Sequence, residues 1–320
     1  MAETTKIEWA DATFNGWIGC TKVSPACANC YAATYGNRFG VKWGKGNPRR
    51  RTSEAKWREP IAWNRKAERE GTRPRVFCSS LADWLDDEVP ARWLADLLAL
   101  IARTPALTWM LLTKRPELWR ARIGAALADP SPDEPDRAGF ERCLREWLDG
   151  TAHPKNVWIG CTAEDQKRAD ERLAHLVAIP AEIRFLSCEP LLGPIYLSKM
   201  KVRCGRCFLF ADNTIGGGHT LLGPRDGHHG VHWIIAGGES GPGARPSHPD
   251  WFRSLRNQAQ LHRAAFHFKQ WGEWGDGELH ERWTDDLGHE AVDDTNGCQR
   301  VGKKVAGREI DGRTWDEFPQ

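Results

Sequence analysis

Short, nearly continuous apolar runs alternate along this chain with longer runs of helical periodicity. The strand-like runs are Val76–Ser79, Trp109–Leu112, Val157–Cys161, Ile183–Ser187, His232–Ala236 and Phe266–Lys269. Strands buried on both faces of a parallel sheet read this way. Between them lie helix signals. Pro90 sits at a first helical position, followed by Trp93, Leu94, Leu97, Leu98 and Ile101 at helical spacing. Glu164–Ala178 is a second amphipathic run, and Ser247 caps a third, with Pro249 in its first turn and Trp251 and Leu255 on one face. This repetition predicts an α/β protein with a mostly parallel sheet and right-handed crossovers, and an open sheet and a barrel both fit.

The strand-like runs end in polar, reactive residue types: Ser79, Ser80 and Asp83; Thr113, Lys114 and Arg115; Thr162 and Glu164; Cys188 and Glu189; Glu239 and Ser240; Lys269 and Gln270. A parallel barrel builds its active site from such C-terminal strand ends. Polar loops are common in any fold, but six such ends in register single out one edge. Three segments interrupt the pattern. Asp129–Asp136 is an acidic, Pro-rich loop. Residues 201–231 read as an insertion rich in Gly and His. The tail, 275–320, is polar and predicts no clear elements. The barrel is thus expected over 1–200 and 232–274.

Composition narrows the class. The chain has 320 residues, 28% charged and 40% apolar, with 45 basic against 43 acidic side chains. That describes a globular protein and excludes a disordered or collagen-like one. No apolar run reaches the ~18 residues of a membrane span, so no membrane partner is expected. No signal peptide is read at the start, which predicts a cytoplasmic location, in the host cell if the chain is phage-encoded. The 10 cysteines then read as ligands, reactive groups or core residues before disulfides.

The strongest local signal is Cys20-x6-Cys27-x2-Cys30, ahead of a helix-like run. Three thiolates on one loop can hold three corners of a 4Fe–4S cube and leave the fourth iron open. An open iron is what a cluster needs to bind and reduce S-adenosylmethionine. The alternative is a structural zinc site completed by a distant Cys or His, where a lone CxxC is commoner. Cys78, Cys161 and Cys188, at strand ends, read as buried small apolar residues.

Several linked motifs carry a resemblance that runs almost end to end: IEWADATFNGWIGCTKVSPACANCYA, LLTKRPE, VWIGCTAEDQKRADERL, IRFLSCEPLLGPI, WIIAGGESGPGARP, HFKQWGEW and RVGKKVAGREIDGRTWDEFP. The chain resembles the phage and prophage family of three-cysteine, radical-SAM-like proteins. The resemblance implies a partial (β/α)6 TIM-like barrel of radical SAM type and a site-differentiated 4Fe–4S cluster on Cys20, Cys27 and Cys30. The gap of six between the first two cysteines departs from the usual three, so a cluster loop of different shape is implied.

Within that reading, Lys114 or Arg115 meets the carboxylate of S-adenosylmethionine. Glu164 or Glu189 accepts from its ribose hydroxyls or amine, with Ser79, Ser80 and Thr162 at neighbouring strand ends. Gly238, Glu239 and Ser240 lie in a Gly-rich turn that permits close backbone approach to a ligand. For each carboxylate the competing reading is a salt bridge within the barrel mouth. In the insertion, Cys204-x2-Cys207-x11-His219, with His228 as a further ligand, fits a small zinc knuckle; a second cluster and no metal are the alternatives.

Local charge points to the substrate. From Lys42 to Arg58 there are seven basic residues and one acid, with Trp43 and Trp57 interleaved. Lys42, Lys45, Arg49, Arg50, Arg51, Lys56 and Arg58 can contact phosphates while the two tryptophans stack on bases. The competing reading is a basic surface loop with two buried Trp anchors. The resemblance implies a role in hypermodifying thymine in phage DNA: a radical isomerisation of an N-linked aminoacyl group into a C-linked one, on a base flipped out of a duplex. An electron donor such as a flavodoxin or ferredoxin is implied with it. Two other functions fit the residues: radical chemistry on a peptide or small metabolite, and a non-catalytic zinc-binding nucleic-acid adaptor.

Overall fold

The computed structural model describes residues 5, 7–38, 40–130, 135–197, 201–203, 208–210, 219–220, 230–276, 293–294 and 298–319. The strands are β1 (Ala12–Phe14), β2 (Trp17–Ile18), β3 (Arg50–Arg51), β4 (Arg75–Cys78), β5 (Thr108–Thr113), β6 (Val157–Thr162) and β7 (Ile183–Cys188), then β8 (Lys201–Arg203), β9 (Phe208–Phe210), β10 (His219–Thr220), β11 (Trp233–Gly237) and β12 (Ala265–Gln270). The tail adds β13 (Trp274–Asp276), β14 (Asp293–Asp294), β15 (Cys298–Arg300), β16 (Glu309–Ile310) and β17 (Arg313–Thr314). The helices are α1 (Tyr31–Arg38), α2 (Glu54–Glu70), α3 (Ala91–Ala102), α4 (Trp119–Ala128), α5 (Arg137–Asp149), α6 (Gln166–Ala178), α7 (Pro249–Leu261) and α8 (Lys303–Ala306).

The fold is mixed α/β around a seven-stranded sheet in the order β1-β4-β5-β6-β7-β11-β12. The pairings β1·β4, β4·β5, β5·β6, β7·β11 and β11·β12 are all parallel. All six expected strands form, each shifted by a residue at most, because their apolar side chains are buried on both faces, as in β11, where every residue is buried. β1 was not expected. It is three residues long, too short to show a period.

The chain divides into two compact units, Met1–Cys161 with Ile179–Arg184, and Thr162–Ala178 with Phe185–Gln320. The first unit holds β1, β4, β5 and most of β6. Its core is aromatic: Phe14 meets Trp57 and Trp109 edge-on, with centroids 5.5 and 5.6 Å apart, and Trp9 meets Phe77 at 4.6 Å. α2 was not read from the sequence. Ser53 caps it, accepting from the Lys56 N–H, and Gly71 ends it at φ 62°. Its buried residues Trp57, Pro60, Trp63, Asn64 and Ala67 recur at helical spacing, so the last part of the basic stretch is the first turn of a packed helix.

The second unit holds the end of β6, most of β7, and β11, β12 and α7. α7 begins one residue later than expected, with His248 rather than Ser247 accepting from the Asp250 N–H. Ser247 instead donates to the Leu191 carbonyl at 2.5 Å. The tail is not featureless: the Phe268 N–H bonds the Trp315 carbonyl, and the Glu317 N–H the Phe266 carbonyl, so the chain end runs antiparallel beside β12. No helix among the described residues is long and apolar enough to cross a membrane.

Candidate functional site

The cysteine loop, within the first unit, starts after β2 at Gly19. Its φ of 118° is open only to glycine at little cost, and a Cβ there would stand 3.0 Å from the Arg49 side chain. The loop returns through a short 3-10 turn at Pro25–Cys27 and enters α1. Lys22 spans it, donating from Nζ to the Ala28 carbonyl at 2.9 Å. Cys20, Cys27 and Cys30 are unbridged and half-buried. Cys27 Sγ lies 3.9 Å from Ser24 Oγ.

Cys20 is the anchored thiol. Arg115 Nη1 and Nη2 reach its sulfur at 3.5 and 3.6 Å, and the same guanidinium donates to the Thr21 carbonyl at 2.8 Å and to Asp83 Oδ2 at 2.9 Å. Asp83 holds this arrangement. Its Oδ1 accepts from the Thr113 hydroxyl at 2.7 Å and the Leu85 N–H at 3.0 Å, and its Oδ2 also from the Lys114 N–H at 2.9 Å. The ends of β4 and β5 thus aim a buried ion pair at the cysteine loop. Burial, then the Asp83 carboxylate, push the Cys20 thiol up to about 12, while Arg115 works the other way. Burial opposes the charge of Arg115, but Asp83 and Cys20 outweigh it and hold the guanidinium ionised.

A second buried network steadies the other side of the loop. Arg49 Nε pairs with Asp86 Oδ2 at 2.7 Å, both side chains fully buried. Arg49 also pairs with Glu88 and donates to the Thr21 hydroxyl at 2.8 Å. Glu88 accepts from the Gly46 N–H at 2.6 Å and from Thr21 Oγ1 at 2.7 Å. Its carboxyl is held below the usual range, first by the Gly46 N–H and then by the Thr21 hydroxyl. Tyr31, exposed at the start of α1, donates to the Ser80 carbonyl at 3.0 Å, and Asn15 Nδ2 donates to the Ser80 hydroxyl at 2.9 Å.

The expected ligand residues fall out unevenly. Arg115 is committed to Asp83, Thr21 and Cys20, so of the two cations expected for a carboxylate Lys114 is the one left to it. Ser79 is buried beside Cys78, with Oγ 3.1 Å from the sulfur. In the second unit, Glu164 is fully buried and paired with Arg172 at 2.9 Å, and the same Arg172 nitrogen donates to the Thr162 carbonyl. Glu239 accepts two bonds from the Arg245 guanidinium, at 2.6 and 2.8 Å, and one from its N–H. Both carboxylates are therefore in the salt bridges that were the competing reading. Glu189 Oε2 pairs with Lys269 Nζ at 2.7 Å. Ser240, exposed, accepts from Gln270 Nε2 at 2.7 Å. Gly238 has a structural reason of its own: a Cβ there would lie 1.8 Å from the Trp271 carbonyl oxygen.

The basic stretch is corrected in part. Trp57 is a core residue, 8% exposed, packed against Phe14 with the Arg51 guanidinium 3.9 Å above its ring. Arg49 is interior. Arg51 pairs with Asp96 at 2.9 Å and Lys56 with Glu59 at 2.8 Å. Trp43 is half-buried against Gly36 of α1, whose Cβ would come within 2.8 Å of its ring. Lys42, Lys45, Arg50 and Arg58 are exposed. Cys204, Cys207 and His228 lie outside the described residues, and of His219 only its place in β10 is described.

Sequence reasoning missed Thr21, Asp86 and Glu88. Asp86 and Glu88 sit in an acidic run (DWLDDE) that reads as solvated surface, and only their pairing with buried Arg49 gives them a role. Among the described residues no group of three or more His, Cys, Asp and Glu stands ready to hold a single metal ion. Three unbridged thiols on one loop are the donor type that a 4Fe–4S cube takes, one thiolate per iron at separate corners. The donor chemistry also fits, since Arg115 offers two N–H groups to the sulfur of Cys20. A search of curated proteins and a search of solved structures each find no match. A family model does match, over residues 4–319, and the chain belongs to that family, described as a protein of unknown function (DUF5131).

Proposed function

We propose that this chain is a radical SAM enzyme, with Cys20, Cys27 and Cys30 holding a 4Fe–4S cluster and the seven-stranded sheet serving as a partial TIM-like barrel. The observation that carries the reading is the Arg115–Cys20 contact: a buried guanidinium, fixed by Asp83 at the strand ends, donates to the first of three half-buried thiols on one loop. A guanidinium held at that sulfur is placed to offset the charge that Cys20 would carry as a thiolate ligand. The cluster, once bound, supplies reductive cleavage of S-adenosylmethionine to a 5′-deoxyadenosyl radical.

The chain's own residues do the rest. Arg115 would offset the thiolate charge of Cys20 once it holds the cluster and, by donating to the Thr21 carbonyl, fixes the start of the loop. Lys22 closes the loop on itself. Lys114 is the cation for the methionyl carboxylate. Exposed Lys42, Lys45, Arg50 and Arg58 form the electrostatic footprint of a DNA partner. The substrate in this reading is a modified thymine in phage DNA, and the reaction an isomerisation of its aminoacyl group, with a flavodoxin or ferredoxin as reductant. The test is anaerobic reconstitution. About four iron and four sulfide per chain, lost in Cys27→Ala, with 5′-deoxyadenosine released from S-adenosylmethionine under reduction, are expected. Zinc in place of iron, and no 5′-deoxyadenosine with any nucleic acid, overturn the proposal.

A further inference from the structure

The C-terminal ends of β7, β11 and β12 in the second unit hold a group of polar side chains for which ion pairing accounts only in part. β11 and β12 run in register up to Ala236↔Phe268, and then Gly237 pairs with Gln270, so that Lys269 is an extra residue. Bulges in parallel pairs are rare, and bulges of any kind collect next to active sites because they re-aim side chains. Here the bulge brings Lys269 and Gln270 together opposite one glycine. A Cβ on Gly237 would stand 3.5 Å from both Glu189 Cγ and Lys269 Cβ, which places Glu189 on the same spot.

Two acceptors in this group have no donor. Glu189 Oε2 takes the Lys269 ammonium, but Oε1 is buried without a hydrogen-bond partner. Gln270, 7% exposed, has the same deficit at Oε1. Its orientation is fixed, because Nε2 donates to the Gly238 carbonyl at 3.3 Å and to Ser240 Oγ at 2.7 Å, and a flipped amide would set oxygen against that carbonyl. A buried acceptor left unpaired costs roughly 1–3 kcal/mol. Two of them beside a bulge are what a site looks like before its ligand supplies the donors.

The charge of the group says what kind of donor. Lys269 already neutralises Glu189, so a cationic ligand would meet an ammonium, and a carboxylate would meet two acceptors. A neutral group with two N–H donors answers both oxygens. We propose that Glu189 and Gln270, set by the Lys269 bulge, form a binding site for the exocyclic amino group of a nucleobase. The base comes either from the adenine of a nucleoside cofactor or from a nucleic-acid substrate. The site stands independently of the cluster, whose presence is read separately by iron content.

Calorimetric titration of the full-length protein with adenosine, cytidine and S-adenosylmethionine, each beside the riboside lacking the amino group (purine riboside, 2-pyrimidinone riboside), tests it. A site built to accept from an amino group strongly rejects the analogue without one. Wild type is expected to bind an amino-bearing nucleoside at least tenfold more tightly than its deaminated partner. Glu189→Gln, which keeps the shape, and Gln270→Leu are each expected to remove that preference, with unchanged circular dichroism confirming the fold. If the loss appears with S-adenosylmethionine and adenosine, the base is the cofactor's adenine. If it appears with cytidine and spares S-adenosylmethionine, the base is the substrate's. Equal binding of amino and deaminated nucleosides, or a preference that survives in Glu189→Gln, overturns the proposal, as does the absence of any nucleoside binding.

Discussion

Asp83 is the residue on which the cysteine loop rests. It receives four hydrogen bonds, from Thr113, Leu85, Lys114 and Arg115 within the first unit, one of them charge-assisted, and its side chain and that of Arg115 are almost wholly buried. Solvation by bulk water is not open to either partner, so removing one leaves the other charge buried and unpaired. Asp83→Asn keeps the shape and deletes the charge. It is expected to cost roughly 3 kcal/mol of stability, seen as a lower urea midpoint with an unchanged slope. A loss under about 0.5 kcal/mol, typical of an exposed pair, would show that the guanidinium has other compensation. The position was legible as a polar strand end. Its role was not, because the sequence does not say that Arg115, 32 residues on, turns back to it.

At the scale of elements, close approach of backbone decides more than side-chain chemistry does. The turn after β11 and the turn after β12 touch through Gly238 and Gly272: a Cβ on Gly238 would lie 1.8 Å from the Trp271 oxygen, and one on Gly272 2.2 Å from the Glu239 oxygen. The Trp271 oxygen belongs to backbone and cannot rotate away. Gly238→Ala is therefore expected to destabilise by more than about 2 kcal/mol, as overpacking of a rigid site does, read as a drop of several degrees in melting temperature. An alanine variant with wild-type melting would mean that the two turns move apart freely. The Gly-Gly pair was visible in the sequence and suggested a ligand. The partner that imposes it is a loop 33 residues later, which no local pattern reveals.

At the scale of the molecule, the C-terminal tail is latched onto α7 of the second unit by charge. Asp311 pairs with Arg253 at 2.9 Å and Arg256 at 2.5 Å, and Arg253 also reaches buried Asp276 at 2.5 Å. Asp311 is held below its ordinary 3.8, first by the Arg256 hydrogen bond, against partial burial, and then by Arg253. A carboxylate whose pKa falls on folding contributes stability above its unfolded value, and that stability is lost as pH drops through the folded value. The latch is thus intact at neutral pH and weakens only below about pH 4. Asp311→Asn removes it at every pH and is expected to speed proteolytic clipping of the tail at pH 7 severalfold, without the further acceleration that acid gives wild type. Equal clipping of both proteins at pH 7 would assign the tail's hold to its strand pairing beside β12 instead.

The tryptophans show how composition and packing divide the work. Seventeen of them suggest either a stacking surface or a core; among the described residues eleven are buried, with Trp17, Trp84, Trp109, Trp147 and Trp233 among the largest wholly buried side chains. Trp109 and Trp233, inside apolar runs, were readable as core. Trp57 read both ways, as a base-stacking ring or a buried anchor, because the basic residues around it mimic a nucleic-acid stretch while its helical spacing to Trp63 and Ala67 turns it inward.

The amino-acid sequence by itself determined the class of the fold, the six long strands, the three-cysteine loop and the polar edge at the strand ends. These are local: buried strands must be apolar, and the spacing of three cysteines on one loop stands in the chain itself. Only the tertiary structure decided that Arg115 serves Cys20, that Glu164 and Glu239 are closed by Arg172 and Arg245, and that Glu189 and Gln270 meet at a bulge. Those facts depend on which distant groups burial brings within hydrogen-bond reach, and on the cost of leaving any of them there without a partner.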